Sequence, residues 1–219
     1  MYLYNIDMNI VSYLTDIYGY GNPIFIKDIR IGRKSKTAIR EEFYRAYKKG
    51  ELEREGPGVY SIPKKDEDFP PVVTFEEIVR KKYIYPVDTI EGLEFLFVEG
   101  YYSGLKFLNQ IGMSQQVPAI LEVTTNKTGS KKRYYTNGKQ VAIIRKSRTK
   151  IDNTNYKILQ FLDMFSFVSL EEVKDNRQLL RDYIAKQGFS KNLFCEYIKY
   201  YGFQTLKKIT EGGLLDAFI

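Results

Sequence analysis

The segment from Ser35 to Gly50 constrains the fold of this chain more than any other. Ser35 is placed as a helix N-cap, because its hydroxyl oxygen can accept a hydrogen bond from an amide in the first turn. Gly50 follows the last helical residue, where glycine adopts a left-handed backbone at least cost. The pattern predicts a helix over residues 36–49, with this buried apolar stripe: Ala38, Ile39, Phe43, Ala46 and Tyr47.

Three elements are predicted before the capped helix. Residues 5–18 carry apolar side chains at helical intervals, and the Gly, Asn and Pro residues that follow end this first helix. Residues 24–26 form a short apolar run that is typical of a strand. Residues 27–31 are long enough for one or two helical turns.

A β-hairpin is predicted after the capped helix. Residues 51–54 alternate as a strand does, residues 55–58 are rich in turn-forming glycine and proline, and residues 59–62 return as a second strand. The order of helix, short helix, turn, capped helix and hairpin predicts a winged helix-turn-helix domain over residues 1–63.

A second domain is expected to follow a linker. Residues 64–73 are polar and rich in proline, so they predict a linker, and residues 74–219 form the second domain. The dipeptide Asn137-Gly138 is a strong hairpin signal. The other predictions are helices at 74–83, where Thr74 is the cap, and at 101–111, strands at 118–125, 133–136 and 140–144, and helices from 153 onward. The fold class is therefore α+β, with a winged helix-turn-helix followed by a mixed domain that has a small antiparallel sheet and C-terminal helices.

The composition argues against the common catalytic and metal-binding sites. The chain has no histidine, which removes imidazole bases and imidazole metal ligands, and its single cysteine cannot form an internal disulfide. We expect Cys195, which lies in an apolar run, to be a packed residue in a protein of the cytoplasm. No apolar stretch is long enough to span a membrane, and no signal peptide is evident. We expect no enzymatic activity, catalytic residue, cofactor or metal.

The charge of the chain favours a polyanionic partner. The formal net charge is +7 and the isoelectric point is about 9.2. Residues 27–49 hold nine basic residues against three acidic ones. A recognition helix presents its first residues to base edges in the major groove, where Arg40 can contact a guanine. The predicted DNA-binding residues are Lys27, Arg33, Lys34, Ser35, Lys36, Thr37, Arg40, Arg45, Lys48, Lys49 and, in the wing, Arg54.

A second basic stretch lies in the predicted sheet of the second domain. Residues 127–150 contain no acidic residue, so we expect them to attract phosphate. An extended DNA footprint, RNA, an acidic protein and a nucleotide are all compatible with this stretch. The nine basic residues are Lys127, Lys131, Lys132, Arg133, Lys139, Arg145, Lys146, Arg148 and Lys150.

Three segments together are similar to a known family. They are residues 50–63, which end the hairpin in Gly58-Val59-Tyr60-Ser61, residues 104–118, which end in Ser114-Gln115-Gln116-Val117-Pro118, and Thr124-Thr125-Asn126 with the basic hairpin that follows. The chain resembles the AbiEi antitoxins of bacterial abortive-infection operons, over about residues 5–170. The final fifty residues are not covered by the resemblance.

The resemblance implies a repressor and antitoxin in one chain. The winged domain of that family binds inverted repeats in its own promoter, and the second domain counters a toxin similar to nucleotidyltransferases. The system is of type IV, in which a stable complex of the two proteins is not required. By position, the DNA contacts fall on residues 35–49 and near Arg54, and the antitoxin surface includes residues 127–150.

Other interpretations stay open at this point. Each basic face can be an ordinary solvated surface, and winged domains also bind proteins. A ligand-responsive winged-helix regulator without antitoxin activity would need a pocket lined by Tyr and Phe. A magnesium-dependent nuclease would need carboxylates that converge in space.

Overall fold

The chain folds as an α+β protein with two compact units. The computed structural model describes residues 9–64, 68–85, 87–90 and 93–218. Unit 1 consists of Met1–Lys81, Asp88–Phe95 and Asn137–Lys139, and unit 2 consists of Lys82–Val87, Leu96–Thr136 and Gln140–Ile219. The start of the predicted first helix, at residues 5–8, and residues 65–67 of the predicted linker lie outside the described residues. The domain bounds inferred from sequence stay a prediction.

Unit 1 begins with two helices and a three-stranded sheet. In chain order these elements are α1 (Ile10–Tyr18), β1 (Ile24–Phe25), α2 (Lys36–Lys48), β2 (Glu53–Gly56) and β3 (Val59–Ser61). The strands have the order β1-β3-β2, and both pairings are antiparallel. Tyr60 is the register partner of Ile24 on one side and of Arg54 on the other. The capped helix, the stub of strand and the hairpin predicted from the sequence are thus confirmed.

The core of unit 1 lies between the two helices and the sheet. Leu14 of α1, Ile24 of β1 and Phe43 of α2 are completely buried. The ring of Phe43 meets that of Tyr60 edge-on, with 5.1 Å between centroids. Since burial of one such side chain stabilises a fold by about 1.5–3 kcal/mol, these contacts fix the orientation of α2.

Two local predictions for unit 1 were wrong. Residues 27–31 form turns and not a helix; the Asp28 N–H donates to the Phe25 carbonyl, and the Lys34 N–H donates to the Ile31 carbonyl, both at 2.9 Å. Tyr47 is 40% exposed. At 100° per residue it lies at the edge of the arc that Ile39 and Phe43 define, so its ring reaches solvent.

The chain then forms a helix and a two-stranded sheet. Helix α3 (Phe75–Tyr83) begins after Thr74, whose Oγ1 accepts a hydrogen bond from the Glu77 N–H at 3.2 Å while the Glu77 carboxylate accepts from the Thr74 N–H at 2.8 Å. This reciprocal pair confirms the predicted cap. Strands β4 (Val87–Ile90) and β5 (Leu93–Leu96), which pair with each other, were not predicted.

Unit 2 contains a four-stranded mixed sheet. Its elements are β6 (Gly100–Ser103), α4 (Gly104–Gln110), β7 (Leu121–Thr125), β8 (Lys132–Asn137) and β9 (Gln140–Lys146), and the strand order is β6-β7-β9-β8. The expectation of an antiparallel sheet was wrong, because β7 pairs with β9 in parallel, with Val123 opposite Ile144. After β7 the chain passes the position of β9 and forms β8 at the edge of the sheet. The hairpin then returns the chain, so that β9 lies between β7 and β8.

The predicted helix over residues 101–111 is also corrected. Tyr101 and Tyr102 belong to β6, where they pair with Thr124 and Val123. The helix starts at Gly104, whose φ of +60° allows the chain to turn from strand to helix.

Helices complete unit 2 and enclose its core. They are α5 (Tyr156–Met164), α6 (Leu170–Asp175), α7 (Arg177–Gln187), α8 (Lys191–Ile198) and α9 (Phe203–Glu211), followed by a 3-10 turn at Leu215–Ala217. Phe161 of α5 is fully buried and stacks on the ring of Tyr183 at 5.7 Å. Cys195 is exposed, contrary to expectation, because α8 turns the neighbouring Phe194 into the core. None of the helices in the described part of the chain is both long and apolar enough to cross a membrane.

Candidate nucleic-acid interface

Helix α2 has one buried face and one exposed, basic face. The Ser35 Oγ accepts a hydrogen bond from the Ala38 N–H at 3.1 Å, so the predicted N-cap is present. Ile39, Phe43 and Ala46 face the core. The exposed positions recur on the other side of the helix and are Lys36, Thr37, Arg40, Glu41, Tyr44, Arg45, Lys48 and Lys49.

The exposed face of α2 combines cations with an aromatic ring. Arg40 and Tyr44 are four residues apart and therefore lie one above the other. Tyr44 is 57% exposed, and the Lys48 Nζ lies 5.5 Å from its ring centre. These spacings put Arg40, Arg45 and Lys48 on one side of the helix over about two turns, with the exposed carboxylate of Glu41 among them. The cations on this side can meet a phosphate backbone or base edges.

The turn before α2 is held by an ion pair. The Lys34 Nζ donates to both carboxylate oxygens of Glu42, at 2.8 and 3.0 Å, and both side chains are partly buried. The ammonium group of Lys34, a predicted DNA contact, joins the turn to the second turn of α2 through this ion pair. Arg33 beside it is exposed. Lys27, also exposed, lies 3.9 Å from the Asp28 carboxylate.

The hairpin β2–β3 contributes little positive charge. Arg54 and Glu53 are both exposed on β2. The next acid, Glu55, accepts a hydrogen bond from the Ser61 hydroxyl, which holds it against β3. A single cation flanked by two carboxylates makes the hairpin a weaker partner for a polyanion than α2.

The acid-free stretch in unit 2 contains three arginines that bind neighbouring side chains and several exposed lysines. The Arg145 guanidinium donates to the Glu122 Oε2 on the neighbouring strand at 2.8 and 3.0 Å. The Arg148 Nε donates to the Asp163 Oδ1 at 3.4 Å, and the Arg133 Nη2 donates to the Tyr83 hydroxyl at 3.2 Å. Exposed lysine side chains of unit 2 are those of Lys127, Lys131, Lys132, Lys146 and Lys150, and Lys139, in unit 1, is exposed as well.

Asp163 lies in a buried polar cluster that sequence reasoning did not find. Its Oδ2 accepts hydrogen bonds from the Thr124 Oγ1 at 3.0 Å and from the Tyr101 hydroxyl at 3.4 Å. Burial raises the pKa of the Asp163 carboxyl above its usual range, while the Thr124 hydrogen bond and the Arg148 charge act to lower it. The partners are 15 to 62 residues from Asp163 in the sequence, so no local pattern could have identified the cluster.

The described residues contain no evident metal-binding group. No three Asp, Glu or Cys side chains come together there as a metal-binding group. No family model matches the sequence, and neither does any curated protein. The functional interpretation therefore rests on the charge and geometry of the surfaces described above.

Proposed function

We propose that unit 1 is a winged helix-turn-helix domain that binds duplex DNA with α2 in the major groove. The observation that carries this proposal is the exposed, basic face of α2, opposite a face that is anchored in the core. A helix with this division can enter a groove without exposing apolar side chains, and its rigid packing fixes which side chains meet the bases.

The elements around α2 support the winged interpretation. The hairpin follows the helix directly, and its returning strand β3 also pairs with β1, which precedes the helix. The chain before α2 and the chain after it are therefore hydrogen-bonded in one sheet, which holds both ends of the segment that contains α2. In place of a second helix before α2 the chain has turns, which the Lys34–Glu42 ion pair attaches to α2.

The contacts follow from position on the helix. Arg40 lies within the first two turns of α2 and has a planar guanidinium, so it is the residue we assign to a guanine edge. Lys36 and Thr37 lie beside it at the N-terminal end. The residues assigned to phosphates are Lys27, Arg33, Arg45, Lys48, Lys49 and Arg54, all of which are exposed.

The resemblance to the AbiEi antitoxins leads to the more specific part of the proposal. In it, the protein is a cytoplasmic autorepressor that binds inverted repeats in its own promoter, and unit 2 counters a nucleotidyltransferase-like toxin. The exposed lysines between residues 127 and 150 are the antitoxin surface in this proposal, and Arg145 and Arg148 hold the framework beneath it.

Two experiments test the two parts of the proposal separately. Footprinting on the DNA upstream of the gene should protect two repeats, and Arg40→Ala should weaken that protection. Co-expression with the adjacent nucleotidyltransferase-like protein should restore growth. The charge reversals Lys131→Glu and Lys132→Glu should remove the rescue, whereas Arg40→Ala should leave it intact. Rescue that is unaffected by the two reversals would remove these lysines from the antitoxin surface.

A further inference from the structure

We infer that the β8–β9 end of the unit 2 sheet binds single-stranded nucleic acid, with a base stacked on Tyr134. The inference goes beyond the duplex site proposed for α2 and is independent of it. It starts from Tyr134, which is 62% exposed although it lies in the middle of a strand. The Lys132 Nζ lies 5.2 Å from the Tyr134 ring centre. Residues two apart on a strand share a face, so a cation and an aromatic ring stand together on this surface.

The neighbouring strand extends the same face. Only residues 138 and 139 separate β8 from β9, so Lys132 lies opposite Arg145 and Tyr134 lies opposite Ile143. The Lys146 N–H donates to the Lys131 carbonyl at 3.3 Å, as this register requires. Ala142 and Ile144 are buried on the other face of β9, and Ile143 is partly exposed beside the Tyr134 ring.

The surface is positively charged at its edge. Residues 127–136, which lead into β8 and form most of it, contain four basic residues and no acid. The acidic residue on the adjoining part of the face is Glu122, and Arg145 neutralises it through the ion pair described above. Strand β8 is the outer strand of the sheet, so Tyr134 stands at the edge of this surface.

This combination fits unpaired bases better than a duplex or an acidic peptide. A base in a duplex is stacked on its neighbours and cannot lie flat on a tyrosine ring, whereas an unpaired base can. The cations around the ring are placed to meet the phosphates on either side. An acidic peptide would use the lysines but would have no group that requires the exposed ring.

The test measures binding of the full-length protein to labelled single strands of about 12 nucleotides, oligo(U) and oligo(dT), by fluorescence anisotropy. Tyr134→Ala should weaken binding by about 5- to 150-fold, the range that loss of one base–aromatic stack gives. Tyr134→Phe keeps the ring and should retain the affinity. Tyr200→Ala is the matched control, because Tyr200 is also exposed, also in unit 2, and has the Lys199 Nζ 5.3 Å from its ring centre.

Separate readouts keep this inference distinct from the duplex proposal. Tyr134→Ala should leave duplex binding unchanged, and Arg40→Ala should leave single-strand binding unchanged. Ultraviolet crosslinking of 5-iodouracil oligonucleotides should label the peptide that contains Tyr134. A preference between oligo(U) and oligo(dT) identifies the natural strand as RNA or DNA. The inference is overturned if Tyr134→Ala binds single strands as tightly as the unmodified protein does. It is also overturned if polyglutamate or a duplex displaces the labelled single strand as well as an unlabelled single strand does.

Discussion

The Arg148 guanidinium forms an ion pair with the buried carboxylate of Asp163, with 3.4 Å between Nε and Oδ1. The Asp163 side chain is 10% exposed and the Arg148 side chain is 44% exposed. One charge therefore lies inside the unit and its partner lies at the surface, where it also contacts the ring of Tyr201 at 4.9 Å. The pair connects the end of the basic stretch to helix α5.

The stability of the protein should depend on pH through this pair. The pKa of the Asp163 carboxyl is raised in the folded state, so the folded protein is more stable when this carboxyl is protonated. That stability is lost as the pH rises through the raised pKa. The positive charge of Arg148 stabilises the ionised carboxylate and so reduces this loss of stability. Arg148→Met should lower the free energy of unfolding by about 1–2 kcal/mol at about pH 8, and by clearly less at acid pH, as the Asp163 carboxyl takes up a proton.

Urea unfolding at the two pH values measures this effect. The control is the double variant Arg148→Met with Asp163→Asn, which has neither charge and should lose the extra destabilisation at high pH. An equal loss at both pH values in Arg148→Met would show that Arg148 stabilises unit 2 by packing alone.

Gly100 should not tolerate a side chain. A Cβ at this position would lie 2.5 Å from the Tyr83 carbonyl oxygen and 2.7 Å from the Thr124 carbonyl oxygen, and backbone atoms of a sheet cannot move aside cheaply. We expect Gly100→Ala to lower the free energy of unfolding by about 1–3 kcal/mol. Gly129→Ala is the control, since a Cβ there meets no atom within 4 Å, and its unfolding curve should be unchanged.

The N-cap of α2 provides a prediction that separates stability from DNA binding. Ser35→Ala removes the acceptor for the Ala38 N–H and should cost about 1 kcal/mol of stability. Ser35→Asp restores a capping oxygen and should recover most of that stability, as thermal unfolding would show. Its negative charge should nevertheless weaken DNA binding, because the cap lies where α2 approaches phosphates. If Ser35→Asp bound DNA as tightly as the unmodified protein, the helix N-terminus would lie away from the DNA.

The elements that the sequence predicted correctly are those with local causes. The cap at Ser35, the turn at Gly50 and the hairpin at Asn137-Gly138 each depend on a few neighbouring residues. The apolar residues around Tyr101 also fit a helical interval, so the sequence predicts a helix where the structure has strand β6. Its strand conformation comes from pairing with β7, about twenty residues further along the chain.

The charge of the candidate site could be predicted from the sequence, but the acidic residues that pair with its cations could not. The basic residues of α2 could be assigned to its exposed face from helical periodicity, and the structure places them there. The ion pairs of Lys34, Arg145 and Arg148 could not be foreseen, because their acids lie 8, 23 and 15 residues away. Tyr134 was visible as an aromatic residue among cations, but its exposure depends on which face of the sheet the helices cover.

The most direct test of the account is the affinity of the purified protein for the DNA upstream of its gene, compared with a shuffled duplex over a series of salt concentrations. The account predicts a clear preference for the upstream DNA, an affinity that falls steeply with salt, and a loss of about 1–3 kcal/mol of that preference in Arg40→Ala. Lys186→Ala, which removes an exposed cation from α7 in unit 2, should bind as the unmodified protein does. Equal, weak binding to both duplexes, unaffected by Arg40→Ala, would contradict the assignment of α2 as a recognition helix.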